Sequence, residues 1–289
     1  MRIARALLPL LLLSTSWRAH AKPVVAPPEV LARVRAAHRI FVSNAGEDDY
    51  LSYSTGEGIG YVVLYRQLVN WPGIQLVDSP AQADLIFQMY GDSYKNLFDR
   101  TPTVTWHLSI LDPATQEVLW TNSTFNISDD LKPILPTKSA PHAGKEFARL
   151  PAQLKHPNKL FIKPMPLPQP SEVAEAAAAV SQAILKSGSY TLVDAPEQAD
   201  LILSLSITDS ISPITHAPRL GSIWVSILDP ATKTIIWTFD NEFAYSFKIT
   251  VEQQIPKTMP YIVQSWNGII GKDSFSCHIQ IVGFKCSMK

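Results

Sequence analysis

The sequence lacks the features that mark several large classes of protein. Only two cysteines occur in 289 residues, charged residues make up 17%, and basic and acidic residues are equal at 25 each. A chain this close to neutral does not have the basic surface that nucleic-acid binding requires. Beyond the amino terminus, no uncharged stretch approaches the roughly 20 apolar residues that span a bilayer. We therefore expect neither a nucleic-acid-binding protein nor a transmembrane segment in the mature chain.

Motifs for catalysis, metal binding and phosphate binding are also missing. The seven histidines form no H-E-x-x-H or other paired metal spacing, and no G-x-S-x-G or Cys/His set indicates a nucleophile. Gly56, Gly58 and Gly60 precede a helix, but their spacing is not G-x-G-x-x-G, so we interpret them as a flexible turn. The sequence predicts no enzyme activity, no cofactor and no metal site.

The two cysteines, Cys277 and Cys286, lie near the carboxyl terminus. In an oxidising compartment, two nearby cysteines are more often a disulfide than a metal site. Closing so short a loop would stabilise the fold by roughly 2.5–3 kcal/mol on the chain-entropy account. We therefore expect a disulfide at this pair.

The amino terminus has the layout of a secretory signal peptide. Arg2 and Arg5 precede an apolar run over 7–13, and small residues for cleavage follow at Ala19 and Ala21. The run is too short to span a bilayer, which favours cleavage after Ala21 over a retained anchor. Removing 21 residues leaves 268, with 22 basic and 25 acidic side chains, enough for two ordinary domains. The predicted location is periplasmic or secreted.

What the sequence does contain is an internal repeat. Residues 76–86, LVDSPAQADLI, recur at 192–202 as LVDAPEQADLI, an offset of 116 residues. Residues 108–121, LSILDPATQEVLWT, recur at 225–238 as VSILDPATKTIIWT, an offset of 117 residues. Two matches in the same order at nearly the same spacing indicate a tandem duplication of one structural unit.

Each unit is predicted to fold as β-α-β-β-β-β. A short apolar strand, Arg39–Ser43 in the first unit and Lys159–Lys163 in the second, precedes a helix with a buried stripe at helical spacing. Four strand-like pieces follow, and an Asp-Pro-Ala-Thr turn joins the last two. The fold class is therefore α+β, with a helix packed on a mainly antiparallel sheet in each unit.

The predicted organisation has five parts. They are a signal peptide at 1–21, a first repeat unit at 22–127, a linker rich in proline and lysine at 128–157, a second repeat unit at 158–247 and a C-terminal extension at 248–289. Gly188 is expected to cap the helix of the second unit. A helix within 251–271 of the extension is expected to be broken in its first half by Pro256 and Pro260.

The residues that both copies share are assigned structural roles. A catalytic carboxylate need not occur in both copies, whereas a carboxylate that defines the fold should. The repeated tryptophans are expected in the core, although an exposed pair could stack on a sugar or peptide. His107 is predicted on the outward face of its strand, where Trp224 stands in the second copy. The repeated positions are Asp78, Asp84, Asp112, Pro113, Trp120, Asp194, Asp200, Asp229, Pro230 and Trp237.

These motifs resemble a module of the bacterial cell envelope. A helix ending in the small residue Gly188, the strand pair around 192–202 and the strand–turn–strand over 225–237 are similar to a domain shared by the TolB amino-terminal region and periplasmic proteins of the curli-secretion-channel type. Residues 76–86 and 108–120 carry the same motifs in the first copy. Many such proteins are lipid-anchored, whereas this chain has no cysteine at its cleavage site. The resemblance implies a non-enzymatic envelope protein that works through protein contacts.

The leading hypothesis is an exported, non-enzymatic envelope protein that serves as a binding or assembly module. Its partner, an envelope protein, would dock on a sheet edge or between the units. The alternative is a periplasmic protein that binds a small ligand, a sugar or peptide, with Trp120, Trp237 or tyrosines. An exported hydrolase would need a pocket of convergent polar residues, and no motif of the sequence supplies one.

Overall fold

The computed structural model describes most of the chain. The described residues are 26–47, 58–69, 71–94, 103–124, 148–164, 171–211, 218–242, 251–272, 274–280 and 283–288. The predicted signal peptide, Gly56 of the glycine turn and most of the predicted linker lie outside the described residues.

The described elements include four α-helices, three short 3₁₀ helices and thirteen strands. The α-helices are α1 (Pro28–Ala36), α2 (Ile59–Val69), α3 (Ser171–Ser187) and α4 (Val251–Ile269). The strands are β1 (Arg39–Glu47), β2 (Gln75–Leu76), β3 (Leu85–Tyr94), β4 (Thr103–Leu111), β5 (Val118–Thr124), β6 (Ala148–Arg149), β7 (Lys159–Ile162), β8 (Thr191–Leu192), β9 (Leu201–Ile211), β10 (Pro218–Leu228), β11 (Ile235–Glu242), β12 (Ser274–Gln280) and β13 (Gly283–Met288).

Both units contribute to one ten-stranded sheet. Its strand order is β5-β4-β3-β1-β11-β10-β9-β7-β8, with β2 beside β1. The first strand of each unit runs parallel to its neighbours, β1 to β2 and β3, and β7 to β8 and β9. The later strands of each unit pair antiparallel. The prediction of an α+β fold with helices on a mainly antiparallel sheet is confirmed.

The two units meet where β1 of the first pairs with β11 of the second, a junction we call the seam. The two strands are parallel, with Asn44 opposite Trp237. Ser43 Oγ donates a hydrogen bond to the Ile235 carbonyl at 2.5 Å. The rings of Tyr61 in α2 and Trp237 in β11 lie 5.1 Å apart between centroids. A single hydrophobic core therefore runs through both units.

The helix of each unit packs on the sheet. Helix α2 lies against β1 and β3, and α3 against β9 and α4. A Cβ at Gly60 of α2 would lie 2.5 Å from the Trp106 ring and 2.9 Å from Met89 Cγ. Gly60 is therefore required by close helix–sheet packing, which corrects its interpretation as part of a flexible turn. Gly58, at the turn before the helix, has φ of 80°, a backbone conformation that favours glycine.

Helix α4 contradicts the expectation that its prolines break it. The helix is continuous with Pro256 and Pro260 inside it. Both prolines lie on the exposed side, where carbonyl groups that lose an N–H partner can bond to water. The opposite side buries an apolar stripe around Trp266, which is fully buried. Packing of this stripe outweighs the cost of the prolines.

Gly188 follows the last residue of α3, but it is not the left-handed cap that the sequence predicts. Its φ lies outside the positive range, and an added Cβ would lie 2.5 Å from the Tyr190 ring. Tyr190 packs edge-on against Trp266 of α4, with 5.7 Å between ring centroids, and its hydroxyl accepts a hydrogen bond from the Trp266 indole. Glycine is thus needed here for contact with a ring that joins α3 to α4.

The predicted linker and extension both contribute ordered elements. Strand β6 pairs with β12, which pairs with β13, in a three-stranded sheet. The backbone register places Cys277 directly opposite Cys286. Directly opposed strand residues are close enough for a disulfide, which stays a prediction because their side chains lie outside the described part of the structure. No described helix has the length and apolar character to cross a membrane.

Candidate functional site

The repeated aspartates Asp84 and Asp200 connect the starts of two strands in each unit, β1 with β3 and β7 with β9. Asp84 Oδ2 accepts hydrogen bonds from the backbone N–H groups of His38 and Arg39, at 3.0 and 2.9 Å. Its Oδ1 accepts two more from the Arg39 guanidinium, at 3.1 and 2.7 Å. The Arg39 side chain, together with these backbone donors, lowers the pKa of Asp84 to about 2. Asp200 accepts from the equivalent N–H groups of Asn158 and Lys159 in the second unit.

The repeated aspartates Asp112 and Asp229 close the hairpin turns. Asp112 accepts from the N–H groups of Ala114 and Thr115, and Asp229 accepts from Thr232. Arg33 of α1 forms an ion pair with Asp112 and, with the turn N–H groups, lowers its pKa to about 2. Each of these carboxylates is occupied by the local backbone, as expected for a structural role.

The repeated tryptophans cannot form a stacking surface. Trp120 is 7% exposed and Trp237 is fully buried. Both lie on the sheet face that carries the core, opposite Ile110 and Ile227. A sugar or peptide ring would have no access to either side chain, so the alternative hypothesis cannot use these two residues. The Trp120 Nε1–H is buried and has no hydrogen-bond partner among the described residues.

The first candidate surface is the outer edge of β5, the backbone groups of Thr121 and Ser123 that point away from β4. Strand β5 ends the strand order of the sheet, and no described strand pairs with this edge. Thr121 and Ser123 are exposed, and Val118 at its start is 54% exposed. The repeat equivalent of β5 is β11, whose corresponding edge is occupied by β1 at the seam.

Side-chain geometry fixes the direction of the backbone groups at Thr121. Thr121 lies opposite Ser109, and their hydroxyl oxygens are 3.1 Å apart. Such close side chains mark the non-hydrogen-bonded pair of an antiparallel ladder, in which N–H and C=O point away from the partner strand. The equivalent pair, Ser226 and Thr238, has hydroxyls 3.0 Å apart, and the backbone groups of Thr238 thus point towards β1.

The second candidate surface is a row of three partly exposed rings on the sheet face opposite α2. Tyr90 lies 5.6 Å from His107 and 6.2 Å from Trp224 between ring centroids. Tyr90 and Trp224 reach each other across the seam because Gly46 leaves room, and a Cβ at Gly46 would lie 3.2 Å from the Trp224 ring. His107 and Trp224 occupy equivalent repeat positions, so the two units contribute one ring each around Tyr90.

His107 also belongs to a linear hydrogen-bonded set that the sequence analysis missed. Ser123 Oγ lies 2.7 Å from His107 Nδ1, and Asp92 Oδ2 lies 2.9 Å from His107 Nε2. His107 and Asp92 are 29% and 45% exposed. The set can hold the imidazole in one orientation and polarise the Ser123 hydroxyl. Only the register of β3, β4 and β5 brings the three residues together, so no linear motif could reveal them.

A small cavity lies between α2 and the predicted linker. Its volume is about 10 Å³, room for one water molecule. Tyr61 lines it, and its hydroxyl donates a hydrogen bond to the Arg149 carbonyl. Burial raises the pKa of Tyr61 well above its usual value, so the phenol stays protonated and keeps this bond. The cavity therefore fits a buried structural water better than a ligand.

Metal binding and N-glycosylation were also considered at the described residues. No group of three His, Cys, Asp or Glu side chains among the described residues could hold a metal ion. Asn122, in a sequence that matches the N-glycosylation pattern, is 5% exposed and is therefore inaccessible in the folded chain. The other such site, at Asn126, lies outside the described residues.

Comparison with known proteins gives one weak structural likeness. No protein-family model matches the sequence, and a search of curated proteins finds no similar sequence. A solved structure, the dodecamer of a PelC variant from Paraburkholderia phytofirmans, is 10% identical, with a TM-score of 0.29 over 42% of this chain and 94% of that chain. A likeness at this level supports no inference about fold or function. The resemblance to the TolB and curli-secretion modules stays a prediction.

Proposed function

We propose that the chain is an exported, non-enzymatic binding module of the bacterial cell envelope, which holds a protein partner on the outer edge of β5. The signal-peptide layout and the envelope-type motifs support the location. The repeated aspartates and tryptophans serve the fold, which leaves the chain's surfaces to carry function. Protein partners commonly recognise an exposed sheet edge by adding a strand to it.

One observation carries the proposal. The last strand of the second unit, β11, already accepts a parallel strand on its outer edge, since Asn44 of β1 stands opposite Trp237. Strand β5 is the copy of β11 and presents the same edge, but no described strand occupies it. An exposed edge is a site for association that proteins normally cover or interrupt. In this duplicated chain, one of two equivalent edges is filled by the protein itself, and the other is unpaired among the described strands.

A hydrolase is the second candidate, because Ser123, His107 and Asp92 form a hydrogen-bonded series. In serine hydrolases the carboxylate holds Nδ1 of the histidine and Nε2 faces the serine. Here the two nitrogens are exchanged, with the serine at Nδ1. This orientation favours a role in presenting polar groups at the β5 edge. Labelling by a fluorophosphonate probe that Ser123→Ala abolishes would establish the hydrolase and overturn the non-enzymatic proposal.

Capture from an envelope extract tests the proposed edge. The bait is the exported chain, residues 22–289, compared with its Thr121→Pro variant, which removes one outward N–H at a position where an edge strand tolerates proline. Thr121→Val keeps that N–H and is the matched control. Tyr261→Ala removes a 59% exposed ring on α4 and controls for surface apolarity.

We expect one envelope protein to be enriched by the wild type and both controls and to be lost from Thr121→Pro. Circular dichroism of each variant ensures that the fold is retained. Equal capture by all four baits would contradict a role for the β5 edge. An absence of any enriched protein would contradict the proposal for soluble partners.

A further inference from the structure

The seam indicates what kind of strand would bind the β5 edge. Strands β11 and β5 are repeat equivalents, and the corresponding edge of β11 is already paired with β1. This inference rests on the proposed function of the β5 edge. At the seam, β11 presents the Ile235 carbonyl, Trp237 and Thr238 to β1. The 117-residue offset places Val118, Trp120 and Thr121 at the corresponding positions of β5. The edge of β5 therefore offers the same order of groups as the edge that β1 occupies.

Residues 43–46 of β1 meet these groups in a definite way. Ser43 donates its hydroxyl to the Ile235 carbonyl. Asn44 stands opposite Trp237, is 1% exposed, and accepts a hydrogen bond from the Gly46 N–H at 3.1 Å. Gly46 has φ of 105° and lies against Thr238. The strand that fits this edge thus carries a hydroxyl residue, then Asn, then two small residues ending in Gly.

The backbone polarity of β1 shows which of its groups bond to the seam. Val77 N–H donates to the Ile40 carbonyl, and Gln75 N–H donates to the His38 carbonyl. Even-numbered residues of β1 therefore point their N–H and C=O groups to the β2 and β11 side. Asn44 belongs to that set, so its N–H is a donor at the seam.

A second copy of this chain does not fit as the partner. Its β1 is already paired with its own β11. The other first strand, β7, has Pro164 where β1 has Asn44, because Asp200 and Asp84 fix the equivalence of Lys159 with Arg39. Proline has no N–H to donate. Strand β7 has four residues against nine in β1, so this edge is interrupted in the way that blocks edge-to-edge association.

The helices that follow β1 and β7 also differ in whether they could contact a further unit. Tyr61 of α2 packs on Trp237 across the seam. Its counterpart in α3 at the 116-residue offset is Ala177, which offers no ring to a further unit. The β7 side of the molecule therefore lacks the groups with which β1 and α2 contact β11. The β5 edge keeps the groups with which β11 contacts β1.

We propose that the outer edge of β5 binds, in parallel orientation, an extended segment of a different protein with the pattern hydroxyl residue, Asn, small residue, Gly. The parallel direction follows from the pairing of β1 with β11. The Asn of that segment would lie opposite Trp120, as Asn44 lies opposite Trp237 at the seam. A strand of the β1 type is the ligand class.

The probe is a synthetic peptide with the sequence of residues 39–47, RIFVSNAGE, titrated into the ¹⁵N-labelled exported chain. We expect shifts of the Thr121 and Ser123 amides. A nitroxide on the peptide amino terminus should broaden the signals near Val118, and one on its carboxyl terminus those near Ser123. Thr121→Pro should weaken binding about tenfold, the loss of one to two backbone hydrogen bonds, and Thr121→Val should not.

A peptide N-methylated at its Asn removes the backbone N–H that the ligand donates, a second bond of the same ladder, without changing the protein, and should bind about tenfold more weakly. Absence of binding, or reversed broadening by the two nitroxides, overturns the inference. If envelope capture depends on Thr121 while the peptide neither binds nor competes, the proposed function stands and the strand assignment fails. Self-association of the wild type that Thr121→Pro abolishes would make the partner a second copy.

Discussion

At the scale of single residues, Asp84 makes the strongest prediction. Its carboxylate accepts four hydrogen bonds from Arg39 and His38. We expect Asp84→Asn to lower the free energy of unfolding by about 1 kcal/mol at pH 7, a value reduced by the partial exposure of the ion pair. Urea unfolding at pH 7 measures it. A loss as large for Asp200→Asn, which has no described guanidinium partner, would show that the Arg39 pair adds nothing.

The same residue predicts a pH dependence. The pKa of Asp84 in the folded chain is about 2 against an ordinary value of 3.8, so the folded state binds the proton less readily than the unfolded state. Its stabilising contribution is complete above pH 4 and is lost as pH falls towards 2. The stability difference between wild type and Asp84→Asn should therefore shrink over that interval. A constant difference down to pH 2 would contradict the assigned pKa.

Lys233 predicts a gain in stability. It holds φ of 61° in the second hairpin turn, a conformation that costs a non-glycine residue about 1–2 kcal/mol. After the entropic cost of glycine, Lys233→Gly should stabilise the chain by about 0.5–1 kcal/mol. Its 4.0 Å pair with Glu197 is exposed and contributes little. The measurement is thermal unfolding of the wild type, Lys233→Gly and Lys233→Ala. The alanine variant should not be more stable than the wild type.

The sequence predicts some residue roles well and others not at all. The assignment of Asp84 and Asp112 to the fold follows from their duplication, since both copies need the same local backbone bonds. The set of Ser123, His107 and Asp92 could not be predicted, because it depends on the register of three strands. Register is set by turn and bulge geometry, which one sequence does not reveal residue by residue.

At the scale of elements, we expect alanine in place of Gly60 to destabilise helix α2, although this replacement usually stabilises a helix. Replacing glycine by alanine inside a helix usually stabilises it by about 1 kcal/mol. At Gly60 the new methyl group would meet Trp106 and Met89, and overpacking of this kind costs about 1–3 kcal/mol. We expect Gly60→Ala to lower stability in chemical denaturation. In a Trp106→Leu background the cost should fall, and an unchanged cost there would contradict the proposed contact.

Helix and strand assignments were predictable where one face is buried with regular spacing. Strand β10 alternates between buried and partly exposed residues over 223–228, and β3, β4 and β9 show this alternation over part of their lengths. Helix α1 was not predicted, although Pro28 at its start suits a helix, because its nine residues bury only Val30 and Val34, too few positions for a periodic pattern. Continuous α4 was missed because local proline cost was weighed without the packing of its buried stripe.

At the scale of the whole molecule, the seam makes β1 a strand shared by both units. The repeat gives the number of units and their internal order, but it says nothing about how two sheets join. The parallel pairing of β1 with β11 depends on contacts between residues nearly 200 positions apart. Differences between the copies, such as Tyr61 against Ala177, are the only trace of the seam in the sequence.

The shared strand predicts that the two units unfold together. Asn44 is buried at the seam and its side chain caps the Gly46 N–H. Asn44→Ala should destabilise the chain by about 1–3 kcal/mol through the unsatisfied N–H. Native-state hydrogen exchange should show this loss equally in β4 of the first unit and β10 of the second. A loss confined to β4 would show that the units are independent.

The most direct test of the account is amide exchange of Thr121 and Thr238 in the unliganded, exported chain, measured residue by residue by NMR. The two residues are repeat equivalents on end strands of their units. We expect strong protection of the Thr238 amide, which points to β1, and rapid exchange of the Thr121 amide at the outer edge of β5. Equal protection of both amides would mean that the β5 edge is already occupied, and would contradict its role as the binding edge.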